Sequence, residues 1–268
     1  MGMQLPWPLR SLPDKIKAVS DWSARQYLKF EDERTRPARD LLAQVPVTQV
    51  RQAIDLGCGL GNSTELLVER YPSAVVSGID SSLDMLRQAR ERLPQCDFSA
   101  GDLSTWVPEE PVDLLFANAA YQWVPDHLSA LRRVIETQAP GGVLAVQMPD
   151  NTREPSHLAM EEIAKRLGIT EGARVELPPV GAYYDALKPL CARVEIWHTI
   201  YNHSLADAQA IAEWFRGSAL RPFLAALDAE HAREFMSAYI DEIRLHYPLR
   251  SDGRVLLRFP RLFIVATR

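Results

Sequence analysis

Cysteine is scarce in this chain: Cys58, Cys96 and Cys191 are the only three in 268 residues. Their odd number and wide spacing support no disulfide framework. With no Cys-x-x-Cys or Cys/His cluster, no metal site is expected either. No apolar run reaches the roughly 20 residues that a membrane-spanning helix requires. An excess of basic charge is also missing. The formal net charge is −5 and the pI is near 5.7, which argues against nucleic acid or an anionic membrane as a partner. No internal repeat interrupts the chain. A content of 47% hydrophobic and 24% charged residues is that of an ordinary globular protein. Residues 1–19 carry Pro6, Pro8 and Pro13 and several charges where a secretory signal needs an apolar core. They read as a flexible leader on a cytoplasmic protein, with a single domain over residues 20–268.

What the chain does have is a concentrated glycine signal, Asp55-Leu56-Gly57-Cys58-Gly59-Leu60-Gly61-Asn62-Ser63-Thr64. A strand-like lead-in, Gln52 to Leu56, runs into three alternating glycines, and a helical segment opens at Asn62. Such glycines let the backbone turn sharply and bring main-chain N–H groups close to a ligand. Cys58 reads as a small buried side chain within the loop. The spacing is G-x-G-x-G, not the G-x-G-x-x-G of dinucleotide binding. With an acidic residue at its head, the loop resembles the first motif of S-adenosylmethionine-dependent methyltransferases.

Downstream, short apolar runs alternate with amphipathic helices. Strands are expected at 74–79, 97–100, 112–118 and 143–148, with a helix at 83–92 capped by Ser81 and Asp84 and another after Pro125-Asp126. This rhythm means βαβ units and a parallel sheet covered on both faces. Upstream, Ser20-Asp21 and Pro37 each start a helix, so residues 20–46 form an N-terminal helical cover. After Met148 come helices near 156–167 and 183–188 and a strand at 193–201. Residues 205–252 then read as a helical cap inserted before a last strand, which Pro260 interrupts.

In a doubly wound sheet the ligand lies beyond the carboxyl ends of the strands, where the strand order reverses. Asp55, Asp80, Asp102 and Asn118 all fall at such ends. Asp80, about 20 residues past the glycine loop, suits the two hydroxyls of an adenosine ribose, with Ser81 beside it; helix capping is its alternative role. Asp102 can accept from an adenine amino group while the Leu103 N–H faces a ring nitrogen, although Gly-Asp also favours an Asx turn. Asn118, Ala119, Tyr121 and Trp123 follow the fourth strand, where main chain and aromatics flank a sulfonium; for Tyr121 and Trp123 a core position is the alternative. Asp55 suits the cofactor's ammonium, with a strand-end carboxylate satisfied by nearby backbone as its alternative role. The amides of Gly57, Cys58, Gly59, Gly61 and Asn62 suit its carboxylate.

Taken together, Tyr27-Leu28-Lys29-Phe30, Arg34-Thr35-Arg36-Pro37, the glycine loop, Gly78-Ile79-Asp80-Ser81-Ser82, Gln122-Trp123-Val124-Pro125-Asp126-His127, Gln147-Met148-Pro149-Asp150-Asn151, Ala182-Tyr183-Tyr184-Asp185 and the run from Phe259 to Arg268 closely resemble the trans-aconitate 2-methyltransferase family. The resemblance runs from about Asp21 to the C-terminus. The departures are the leader and Leu60, where a proline is frequent. The resemblance implies an α/β, Rossmann-like, doubly wound and mostly parallel seven-stranded sheet with an antiparallel last strand. It also implies S-adenosyl-L-methionine as cofactor and a small polycarboxylate, trans-aconitate, as the methyl acceptor.

A carboxyl group with a pKa of roughly 4 is already ionised at neutral pH, so no general base is required. Positioning is the main task, and a trianion calls for cationic clamps. The candidates are Arg34, Arg36, Arg153, Arg258 and Arg261; each taken singly reads better as a solvated surface charge, but at least two are expected to converge on the pocket. Tyr27, Tyr183 and Tyr184 could donate hydroxyls. His127, His157, His198 and His203 are expected to be structural. The chain is expected to be a monomer or weak homo-oligomer. Alternatives are a methyltransferase for another small acid, a nicotinamide-dependent oxidoreductase and a non-catalytic sensor of S-adenosylmethionine. The second lacks the G-x-G-x-x-G spacing, and the Gly-Asp-Leu after the third strand counts against it.

Overall fold

The structure, a computed structural model, describes residues 31–169 and 176–268. The leader and the expected first helix, with Tyr27, lie outside the described residues. Helix α1 spans Glu31–Ala43, so the charged stretch after Phe30 is helical and Pro37 sits inside the helix instead of starting it. A proline there removes a single ladder bond. Ala38, Leu41 and Leu42 still share one buried face.

The chain then alternates through β1 (Gln52–Leu56), α2 (Asn62–Arg70), β2 (Val75–Asp80), α3 (Leu83–Arg92), β3 (Asp97–Ala100), β4 (Leu114–Asn118), α4 (His127–Glu136) and β5 (Val143–Pro149). Strands β4 and β5 read as continuous apolar runs because both faces are covered; Leu114, Leu115, Phe116, Leu144 and Val146 have no exposed surface. The N-cap of α3 is Ser82, whose hydroxyl accepts from the Met85 N–H, and not Ser81 as the spacing suggests. Ser81 is displaced because Asp80 already holds the Ser82 N–H.

Beyond β5 lie α5 (Pro155–Arg166), α6 (Val180–Leu187) and β6 (Arg193–Leu205). Helices α7 (Ala208–Arg216), α8 (Arg221–Ala225) and α9 (Ala229–His246) follow, and then β7 (Val255–Thr267). Strand β7 runs unbroken through Pro260, opposite Ile200 of β6. The proline is tolerated because the paired register of β5 with β7 ends next to it, at Pro149 and Arg261.

The sheet order is β3-β2-β1-β4-β5-β7-β6. The pairs β1–β2, β2–β3, β1–β4 and β4–β5 are parallel, and β7 is antiparallel to both neighbours. The order therefore reverses between β1 and β4. That switch point opens a crevice at the carboxyl ends of these two strands. Two apolar clusters pack against the sheet; the larger gathers Leu41, Leu67, Leu86, Phe215, Phe235 and Tyr239, and the other gathers Leu56, Leu131, Val134 and Tyr183.

Candidate active site

The glycine loop is built by left-handed backbone. Gly57, Gly59 and Gly61 have φ of 74°, 54° and 86°, a region that side chains disfavour. A Cβ on Gly57 would stand 2.3 Å from that of Ala120, whereas one on Gly59 would meet nothing within 4 Å. Gly59 therefore leaves room for a ligand where other residues would fill it. The Gly57 and Cys58 N–H groups both donate to the Ile79 carbonyl, at 2.7 and 3.0 Å, and the Gly61 N–H donates to Cys58. The Gly57 and Cys58 amides, expected to meet the ligand, close the loop on β2 instead, and that of Gly61 closes it on itself. The loop delivers the start of α2, where Gly61 provides no side-chain cap, and an uncapped helix start favours an anion.

Asp55 is fully buried and does not line the cavity described below. Its Oδ2 accepts from the Ser63 and Thr64 hydroxyls, both at 2.7 Å, while Oδ1 has no partner among the described residues. Burial pushes its carboxyl up to about 6, against the hydrogen bonds of the two hydroxyls. Between about pH 4 and 6 the folded chain therefore holds this proton more tightly than the unfolded chain. Its contribution favours folding at low pH and is lost as pH rises through 6, on the order of 3 kcal/mol by neutral pH. Urea midpoints of wild type and Asp55→Asn should thus diverge between pH 4 and 7, the variant gaining by that amount; parallel curves would contradict it.

Asp80 lies at the end of β2 with both carboxylate oxygens engaged. Oδ2 accepts from the Gly59 N–H at 2.9 Å and Oδ1 from the Ser82 N–H at 2.8 Å. Each oxygen retains acceptor capacity toward the cavity. Asp102 forms the Asx turn, accepting from the Ser104 N–H at 2.8 Å, which holds its carboxyl below the usual range. It lines the cavity all the same, with Leu103 beside it. Asn118 and Ala119 complete this end. Ala119 adopts a φ of 56°, its N–H donating to the Gln147 carbonyl, and Asn118 Oδ1 is buried without a described partner.

These residues open into one cavity of about 910 Å³, within the range of small-molecule sites. Its lining carries both signs of charge. Asp80 and Asp102 stand at the strand ends, and Arg34, Arg221 and Arg261 also line it, with Trp214, Phe215, Phe259 and His157. Arg34 donates to the Trp214 carbonyl at 3.0 Å and lies over that ring. Arg261, only 4% exposed, donates to Gln147 Oε1 at 3.1 Å and lies 4.7 Å over Phe259.

Residues 53–142 match the family described as a methyltransferase domain. A trans-aconitate 2-methyltransferase from Rhodopseudomonas palustris (strain BisB5) is 57% identical over 256 residues, 93% of this chain and 100% of that protein. The chain belongs to the trans-aconitate 2-methyltransferase family. A second member, from Rhizobium etli, is 58% identical over 253 residues, covering 92% of this chain and 99% of its own. The fold is also that of the Bacillus YcgJ protein, with a TM-score of 0.59, 14% identity and coverage of 87% and 98%.

In this member of the trans-aconitate 2-methyltransferase family, two of the five expected arginines, Arg34 and Arg261, line the cavity. The others do not. Arg36 pairs with Asp40 across an exposed helix face, Arg153 with Glu176 at 2.7 Å on the surface, and Arg258 with Glu154. Tyr121 and Tyr183 are buried, Tyr183 being hydrogen-bonded to His127 at 2.7 Å, and Tyr184 is exposed away from the cavity. Trp123 is 47% exposed and lines the cavity, so it is not a core residue. Cys58, Asn62 and Ser81 line it as well.

Sequence reasoning missed Arg221, Asn151 and Trp214 as lining residues. Asn151 closes the Gln147–Asn151 motif, and its position just past β5 was the available signal. Arg221 had none, lying in a helical stretch with no motif. His203 is stacked against Tyr201 and Trp214, and burial pushes it down to about 4, so it is neutral at pH 7.

Proposed function

We propose that this chain is an S-adenosylmethionine-dependent O-methyltransferase that esterifies one carboxylate of trans-aconitate, giving the monomethyl ester and S-adenosylhomocysteine. The carrying observation is one cavity lined both by strand-end carboxylates and by three arginines, in a chain of this family. The strand-end residues fit the cofactor. Asp80 offers acceptors for ribose hydroxyls, Asp102 and Leu103 an edge for adenine, and the uncapped start of α2 the site of its carboxylate. Bound S-adenosylmethionine supplies a methyl group made electrophilic by its sulfonium.

The protein's share is orientation and exclusion of water. The arginines hold the ionised acid, since arginine grips a carboxylate by two charge-assisted hydrogen bonds. Fixing one carboxylate oxygen against its target is worth roughly 7–11 kcal/mol. That Trp214, Phe215 and Arg221, from the helices between β6 and β7, line the cavity supports a role for residues 205–252 as a cap over the acid. That Trp123 lines the cavity supports a place for it beside the sulfonium. The reaction runs in the cytoplasm on a small dissolved acid, by a monomer or weak homo-oligomer.

No residue has to remove a proton. His157, which lines the cavity edge-on to Phe215, is therefore not a base. His157→Gln should keep kcat within about threefold, whereas loss of a base costs roughly a hundredfold or more; stopped assays under saturating substrates decide. The reaction itself is tested by mass spectrometry after incubation with S-adenosylmethionine and trans-aconitate, cis-aconitate, citrate or isocitrate. An alkali-labile monomethyl ester should form on trans-aconitate far faster than on the other three. Equal rates on all four, or transfer to none, would reject this substrate.

A further inference from the structure

The three cavity arginines are not held alike. Arg34 and Arg261 are built into the wall, each by a hydrogen bond to the protein and an aromatic ring under its guanidinium. Arg221 opens α8 from the helices between β6 and β7 and lines the same cavity. It is only partly exposed, yet its guanidinium makes no hydrogen bond or ion pair with any described residue. Its backbone, by contrast, is fixed. The Arg221 N–H donates to the Ser218 carbonyl at 3.1 Å, the Leu220 N–H donates to Phe215 at 3.0 Å, and Leu220 and Phe223 on either side are buried. A firmly anchored arginine thus presents five donors, uncommitted among the described residues, to a cavity already lined by two structural cations.

Placing a third permanent charge in a partly desolvated cavity is costly unless an anion completes it. A tricarboxylate brings one carboxylate for each arginine; a dicarboxylate leaves one unanswered. We infer that Arg221 is a specificity determinant, taking up the carboxylate by which a tricarboxylate exceeds a dicarboxylate. This rests on the acid-methylating reading above. Arg34 and Arg261 are poor discriminators, because removing either also disturbs the cavity wall against which any acid is held. Arg221 can be removed with the wall intact.

The test is steady-state kinetics of wild type, Arg221→Gln and Arg221→Lys. The quantities read are the KM of trans-aconitate and the competitive inhibition constants of two acids lacking one of its carboxylates, glutaconate and itaconate. A charged, two-pronged hydrogen bond corresponds to roughly 10- to 100-fold in affinity. R221Q should raise the KM of trans-aconitate by that factor and leave the inhibition constant of at least one dicarboxylate within about twofold. R221K, keeping the charge but not the fork, should fall between. Binding of S-adenosylhomocysteine by calorimetry should be unchanged in both variants. An unchanged KM, or a uniform rise across all three acids, would overturn the role of Arg221 while leaving the methyl transfer standing. A wild-type enzyme that methylates no acid would remove the reading beneath it as well.

Discussion

Asp80→Asn is expected to raise the KM for S-adenosylmethionine by at least about a hundredfold. Both oxygens of this carboxylate already accept main-chain N–H groups, from Gly59 and Ser82. An amide in its place must turn its NH2 toward one of those donors, setting donor against donor at the glycine loop. The same change removes the negative charge proposed to face the ribose. A hydrogen bond to a charged group contributes roughly 1.5–3 kcal/mol, and two such bonds to ribose hydroxyls give the hundredfold as a lower figure. The effect belongs to binding, so kcat at saturating cofactor should fall far less. Initial rates over a cofactor titration check it. A KM within threefold of wild type would mean that Asp80 serves only the loop.

Arg261→Met should act at the other end, raising the KM of trans-aconitate by roughly a hundredfold with cofactor affinity unchanged. Methionine fills a similar volume without charge, so the aromatic surroundings of Phe259 and Tyr201 are kept. What goes is a buried cation whose fork can take one carboxylate of the acid. The substitution also strips Gln147 of its partner. Gln147 is fully buried with its Nε2 already without a partner among the described residues, so a stability loss of roughly 1–3 kcal/mol accompanies the kinetic effect. Substrate titrations at saturating S-adenosylmethionine, with a urea melt alongside, separate the two. A rise in cofactor KM of similar size would place Arg261 in the wrong half of the cavity.

The sheet and the strand-end lining of the cavity were legible from the sequence because each signal is local. A glycine run after an apolar strand, and acidic residues at strand ends, carry their positions with them once parallel βαβ order is recognised. Asp80, Asp102 and Asn118 needed no tertiary knowledge beyond that. Asp55 shows the limit: a carboxylate one residue inside the strand end turns inward, to Ser63 and Thr64, and never reaches the cavity.

The arginine-bearing part of the lining was harder because it is assembled from distant segments. Arg34, Trp214, Arg221 and Arg261 come from α1, α7, α8 and β7, and nothing local distinguishes Arg261 from Arg258 three residues earlier. The difference lies in the strand. Arg261 stands opposite Pro149 at the end of β5, beside the cavity, while Arg258 has passed beyond the end of that pairing and meets Glu154. Tyrosines likewise carry no mark of direction. Tyr121 turns into the core within a short 3₁₀ turn, two residues before Trp123 turns out.

The central claim is that one cavity holds the cofactor against Asp80 and a tricarboxylate against the arginines. A crystal structure of the enzyme with S-adenosylhomocysteine and trans-aconitate tests it most directly. The account predicts ribose hydroxyls within hydrogen-bond distance of both Asp80 oxygens, and carboxylates of the acid on Arg34, Arg221 and Arg261, with one carboxylate oxygen facing the cofactor sulfur. An acid bound away from those arginines, or a cofactor that leaves Asp80 unengaged, would contradict it.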